Sequence, residues 1–179
     1  MKGAIFTGLA EFVETQCGLK TWMQAVEQSE LSSNGEYIST ELYDDAELVS
    51  LLQTLSTLTG KSVEALSRDF GRYFFSTLMS IASKYVADIN NLFEFLEAVD
   101  SVIHIEVQKA DPLAYTPALF YDKPSENVLV VRYMSNRKMC HFAEGLIYGA
   151  AEHFNQVVKI SQSKCMCEGD THCLIRIES

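Results

Sequence analysis

The sequence predicts an α+β fold, with a helical N-terminal half and a C-terminal half in which an antiparallel sheet of about four strands packs with one long helix. Apolar residues recur at helical spacing through most of the first hundred positions. The texture then turns to short alternating or β-branched runs broken by proline, and one more helical stripe, from Cys140 to Phe154, interrupts them.

Taken in order, Ile5, Phe6, Leu9, Phe12 and Val13 mark a first helix that stops at Gly18. Leu19 to Gln28 is a second, carrying Trp22, and Glu30 to Glu41 is a connection with an Asn34-Gly35 turn. Asp44 and Asp45 suit a helix start, and Leu48, Leu51, Leu52, Leu55 and Leu58 are its buried stripe up to Gly60. Ser62 is an N-cap for a helix whose stripe runs Val63, Leu66, Phe70, Phe74, Leu78 and Ile81. A further helix from Asn91 carries Leu92, Leu96, Val99 and Ile103 toward His104. Ile105 and Val107 then alternate with Glu106 and Gln108 as in a strand. Ala118 to Tyr121 and Asn127 to Tyr133 read as strands around a Lys123-Pro124-Ser125 turn, and Val157 to Ser161 and Leu174 to Ile177 as two more. Ser135-Asn136 is placed to turn the chain and cap the helix from Cys140.

A chain of 179 residues, 47% hydrophobic, makes one domain or two small lobes sharing a core. No apolar run approaches the roughly 18 residues that span a bilayer. The formal net charge of −10, with no basic stripe, argues against binding nucleic acid or an anionic membrane. Glu11 and Glu14 break any secretory pattern at the N-terminus, so a cytoplasmic protein is expected. Four of the five cysteines fall between Cys140 and Cys173, which fits a metal or redox cluster in a reducing compartment better than a disulfide framework.

Two features carry chemistry. His104 is closely flanked by Val102, Ile103 and Ile105, a setting for a core histidine or for an axial ligand to haem iron. Tyr133, Ser135 and Arg137, spaced i, i+2, i+4 at a strand-to-helix corner, make a donor set for one or two carboxylates or phosphates. His104 lies 29 residues before this Tyr-x-Ser-x-Arg motif, behind a helical half that begins MKGAIF.

In these features the whole chain resembles the H-NOX family, bacterial relatives of the haem domain of soluble guanylate cyclase. The resemblance implies a single domain over 1–179, with an N-terminal helical lobe (1–62) and a haem-ligating lobe (63–179), and a haem b buried between the two halves. It implies His104 as proximal iron ligand, with Tyr133, Ser135 and Arg137 holding the propionates. Pro117 would press on the macrocycle, and Leu9, Phe74, Leu78, Phe142 and Leu146 would line the pocket. Oxygen-binding members carry a tyrosine five residues beyond the motif arginine; here that residue is Phe142, which cannot donate a hydrogen bond. The expectation is therefore nitric oxide and CO binding without a stable oxygen complex, with Tyr73 the residue that could reverse it. The family mechanism implies that NO weakens the bond to His104 and shifts its helix. A partner, a histidine kinase or a cyclic-di-GMP enzyme, would read that shift, since no catalytic motif is present. A haem peroxidase, an NO dioxygenase and an oxygen sensor are the alternatives.

Cys140, Cys165, Cys167 and Cys173 form a Cys…Cys-x-Cys-x5-Cys pattern. A subset of the family holds zinc here with one histidine, but the matching position is Gln162. An all-cysteine zinc site is therefore expected, with His172 or His141 as substitutes and an added redox-sensing role. Cys17 is expected to be ordinary packing.

Overall fold

The computed structural model describes residues 1–179. Helices α1 (Gly3–Cys17), α2 (Leu19–Gln28), α3 (Asp45–Thr59) and α4 (Val63–Ala82) make the first half. Their ends follow local chemistry. The Asp44 carboxylate accepts from the Ala46 N–H at 2.9 Å and the Ser62 hydroxyl from the Ala65 N–H at 3.2 Å, satisfying donors that a helix start leaves free. Gly60, at φ 72°, closes α3 in the left-handed region. Asn34 and Gly35 both take positive φ, and the Glu36 N–H bonds the Ser33 carbonyl across them.

The loop from Glu30 to Asp44 is tied to α3 by one buried carboxylate. Glu47 accepts from the hydroxyls of Ser32, Ser33 and Tyr37, and from the Ser33 N–H at 3.1 Å. Burial alone would push its carboxyl up, but these donors outweigh it and hold it below the ordinary 4.5. A lowered folded-state value means that the stabilisation is complete above about pH 4.5 and is lost as pH falls through the folded value. Glu47→Gln should therefore cost about 2 kcal/mol or more at pH 7, because an amide NH2 meets hydroxyls that were donating. It should also flatten the acid limb of a stability-versus-pH curve. Urea titrations of both proteins between pH 3 and 7 check this, and parallel acid limbs would refute it.

In the second half, α5 (Leu92–Ala98) runs into a π-helical turn (Val99–His104) and on into α6 (Ile105–Ala110). The strand expected at Ile105 and Val107 is instead helix. Both side chains are exposed, at 44% and 38%, and no neighbouring strand is available, so two alternations carried no sheet information. Strands β1 (Ala118–Ser125), β2 (Val128–Met134), β3 (Lys159–Lys164) and β4 (Cys173–Glu178) form an antiparallel sheet in the order β1-β2-β4-β3. The first hairpin turns at Glu126-Asn127 rather than at Lys123 to Ser125. A register shift between Asp122 and Ser125 takes up Pro124, which has no N–H to give the ladder. Helix α7 (Cys140–His153) lies between β2 and β3 in sequence and packs on the sheet.

The interior falls into two apolar clusters. One is built on the sheet, around Leu129, Val131, Ile175 and Ile177 with Leu92, Phe95, Ile147 and Ala150. The other joins the N-terminal helices through Phe6, Leu9, Phe12, Leu48, Leu51 and Leu55. Helix α4 gives Phe70 and Phe74 to the second cluster and Phe75 to the first. Helix α7 likewise divides Phe142 from Ile147, and the half-buried Leu146 touches both. These two helices meet at glycines, where a Cβ on Gly71 would stand 2.2 Å from the Phe142 carbonyl oxygen and one on Gly145 2.1 Å from that of Arg68.

Candidate functional site

His104 ends the π-helical turn, and its side chain is 15% exposed. Its Nδ1 lies 3.1 Å from Asp100 Oδ1, an i, i+4 pair. Burial lowers the proton affinity of the ring, with Asp100 opposing, so the net direction is downward. Burial thus favours the neutral ring, and an Nδ1–H given to the carboxylate leaves the Nε2 lone pair free for a metal.

Tyr133, at the end of β2, is 4% exposed and Ser135 just beyond it 5%. Burial pushes the Tyr133 phenol up to about 12, so it stays a proton donor. Ser135 was expected to cap the next helix. That cap position is Met139, without a side-chain bond, and the Ser135 hydroxyl instead accepts from the Arg137 N–H at 3.2 Å. Arg137 is clasped: Nε donates to Asp45 Oδ2 at 2.7 Å, Nη1 donates to the Tyr115 carbonyl at 3.2 Å, and the guanidinium stacks 4.9 Å over the Tyr115 ring. Asp45 also pairs with the Met1 amine at 2.8 Å. Burial would raise the Asp45 carboxyl, but the two cations hold it low. Neither Asp45 nor Tyr115 was legible as part of the site. Asp45 had a sufficient role as a helix-start acid, and it lies 92 residues from Arg137.

Opposite the histidine in chemical character is a wall without donors. Leu9 and Phe74 are at most 1% exposed and Phe142 is 8% exposed. Phe70 joins the rings, with centroids 5.1 Å from Phe142 and 5.4 Å from Phe74. The Phe74 ring lies over Gly8, where a Cβ would come within 2.2 Å of it. Tyr73 turns to Phe12, at 5.5 Å between centroids. Leu78 and Leu146 are half-buried against the same cluster, and Pro117 is half-buried ahead of β1.

These residues fit a haem. A neutral imidazole with one free nitrogen suits iron, and two apolar clusters that stay separate suit the faces of a macrocycle. The phenol, hydroxyl and guanidinium at the β2–α7 corner suit carboxylates.

Four of the cysteines gather at the start of α7. Cys140 Sγ lies 3.6 Å from both Cys165 Sγ and Cys167 Sγ, and ligand atoms of these three and His141 are all within 4.8 Å of one another. Cys173 lies outside that set, and its Sγ accepts from the Met166 N–H at 3.2 Å. His172 is turned to the Thr171 hydroxyl. Burial raises the thiols of Cys140, Cys167 and Cys173, the last two to about 12. Cys165 alone goes down, because the N–H groups of Cys167 and Glu168 and the Cys140 thiol outweigh its burial. Behind His141, the buried Glu144 accepts from Arg68 Nε at 2.9 Å and lies 3.3 Å from His141 Nδ1. Beside them, Gln162 Oε1 is buried without a partner. Cys17 is exposed at the end of α1 rather than packed.

Fold and site together define a haem-binding domain of the gas-sensing kind. The chain belongs to the haem-NO-binding family, whose profile matches residues 2–162 and so ends short of Cys165. Its fold superposes on the Fe(II) unliganded H-NOX protein of K. algicida, at TM-score 0.91 and 34% identity, over 99% of this chain and 96% of that one. It also superposes on the H-NOX protein of S. oneidensis in the Fe(II)NO state, at TM-score 0.90 and 32% identity, over 99% and 98%. A Drosophila melanogaster protein, soluble guanylate cyclase 89Da, is 22% identical over 139 residues, which are 76% of this chain and only 20% of that protein's length. The domain that defines the family is a haem-based gas sensor, and the cyclase relative carries its catalytic activity in a separate domain. No helix of the protein is long and apolar enough to cross a membrane.

Proposed function

We propose that this protein senses nitric oxide at a ferrous haem and signals to a separate partner, a histidine kinase or a cyclic-di-GMP enzyme. The observation that carries the choice of gas is the donor-free wall of Leu9, Phe70, Phe74 and Phe142. Bound haem supplies an iron that takes a diatomic gas. Every other element of the reading belongs to the chain. His104 presents Nε2 as the proximal ligand, with Asp100 fixing its tautomer. Tyr133, Ser135 and Arg137 take the propionates, and Pro117 bears on the macrocycle. Leu78 and Leu146 complete the pocket, whose phenyl rings exclude water and offer bound oxygen no hydrogen bond. CO, which needs none, also binds. The lobes 1–62 and 63–179 are the bodies that shift relative to one another, and the shift is what the partner reads.

A visible spectrum of the dithionite-reduced protein tests this. The expected result is a haem spectrum that changes with NO and with CO but forms no stable complex in air. A stable complex with oxygen would move the function to oxygen sensing, and a protein that cannot retain haem would overturn the reading.

The same reading includes a structural zinc at the cysteine cluster. Tetrahedral Zn–S bonds of about 2.3 Å place sulfurs on the order of 3.8 Å apart, close to the 3.6 Å spacings at Cys140. Cys140, Cys165 and Cys167 are the proposed thiolates. Cys173 or His141 is the fourth ligand, His141 having Glu144 to hold its Nδ1. Oxidation of these thiols would release the metal and give a second, redox input. About one zinc per chain is expected in protein purified without chelator, and Cys165→Ser should lose it. Chelation should also lower the melting temperature, since the ion ties the start of α7 to the β3–β4 connection. Metal analysis finding no zinc would remove this part alone.

A further inference from the structure

A carboxylate behind a metal-binding imidazole controls more than its tautomer. When the Nδ1–H of the ring is given to an anion, the ring gains imidazolate character and the opposite nitrogen becomes a stronger donor. In this protein the anion is Asp100, 3.1 Å from His104 Nδ1 on the same π-helical turn, so pair and turn are built as one unit. Asp100 makes no other ion pair. Its only charged neighbour within bonding reach is the ring, and the nearby Tyr121 is a half-buried phenol pushed above its usual range, hence neutral. The side chain is 41% exposed, so water weakens the charge.

We propose that Asp100 is a positioning residue that sets how tightly His104 holds the iron, and through that the ease with which the proximal bond yields to the gas. The proposal rests on the reading of His104 as the iron ligand. With the carboxylate in place the iron–imidazole bond is stiffer and the ferric state is favoured. With a neutral group in its place, the geometry is kept and the electron donation is lost.

Resonance Raman spectra of the haem-loaded ferrous protein read the iron–histidine stretch directly. Wild type, Asp100→Asn, Asp100→Ala and Asp100→Glu would be compared, with haem content and circular dichroism confirming equal loading and folding. The expected result is a downshifted band in the Asn and Ala variants, with Glu restoring most of the wild-type position. The Fe(III)/Fe(II) potential should move upward in the same two variants, and the fraction of protein that releases His104 at a given NO concentration should rise. A band at the wild-type position in Asp100→Asn would overturn the role of Asp100 while leaving His104 as ligand. Absence of the band in wild type, or its persistence in His104→Gly, would instead overturn the ligation itself.

Discussion

Phe142→Tyr is expected to make this protein an oxygen binder. Phe142 sits in a cluster of phenyl rings with no hydrogen-bond donor, 5.1 Å from Phe70 and 6.2 Å from Phe74 between centroids. A phenol there supplies the one group the wall lacks. A charge-assisted hydrogen bond of about 1.5–3 kcal/mol corresponds to a gain of about 10- to 150-fold in oxygen affinity. The gain should be specific to oxygen, since CO draws little on such a bond. The same hydroxyl has no protein partner in the ligand-free state and should cost about 1–3 kcal/mol of stability there. Oxygen and CO titrations of the ferrous variant, with a melting curve, separate the two effects. Equal gains for both gases would mean that the substitution had opened the pocket rather than provided a donor.

The second large effect is expected at Gly145. A Cβ at this position would stand 2.1 Å from the Arg68 carbonyl oxygen and 2.8 Å from the Arg72 nitrogen, so backbone rather than a movable side chain stands in the way. Helices α4 and α7 would have to separate, and they join the two apolar clusters. Gly145→Ala should therefore lie at or beyond the upper end of ordinary overpacking, about 3 kcal/mol or more, which for a domain of this size lowers the melting temperature by about 6–12 °C. Val157→Ser, at a side chain 93% exposed, is the matched control and should stay within about 0.5 kcal/mol of wild type. A Gly145→Ala protein as stable as the control would show that the helices part at little cost.

What could be read in advance divides along physical lines. The N-terminal helices follow from period and punctuation, because Asp44, Ser62 and Gly60 act locally where they stand. The α+β plan and its four antiparallel strands were legible for the same reason. The segment after His104 was not, since Ile105 and Val107 alternate equally well on an exposed helix. In the site, the motif spacing pointed to His104 and to Tyr133, Ser135 and Arg137, but their partners were hidden to different degrees. Asp100 lies four residues from His104 and could have been found by helix geometry. Asp45 on Arg137, and Arg68 on Glu144 76 residues away, are products of tertiary packing and leave no local trace. The cysteine pattern was visible, yet only the fold decides that His141 rather than Cys173 stands among the closest ligand atoms.

Two clusters that share a spine but do not merge also bear on how the molecule opens. If stability follows the two clusters, each would fluctuate without dissolving the other. Amide protons of α1 and α3 would then exchange through an opening that leaves β2 and β4 protected. Those of α4 and α7, which belong to both units, would be the last to go. Opening would then be set by the stability profile as much as by any loop.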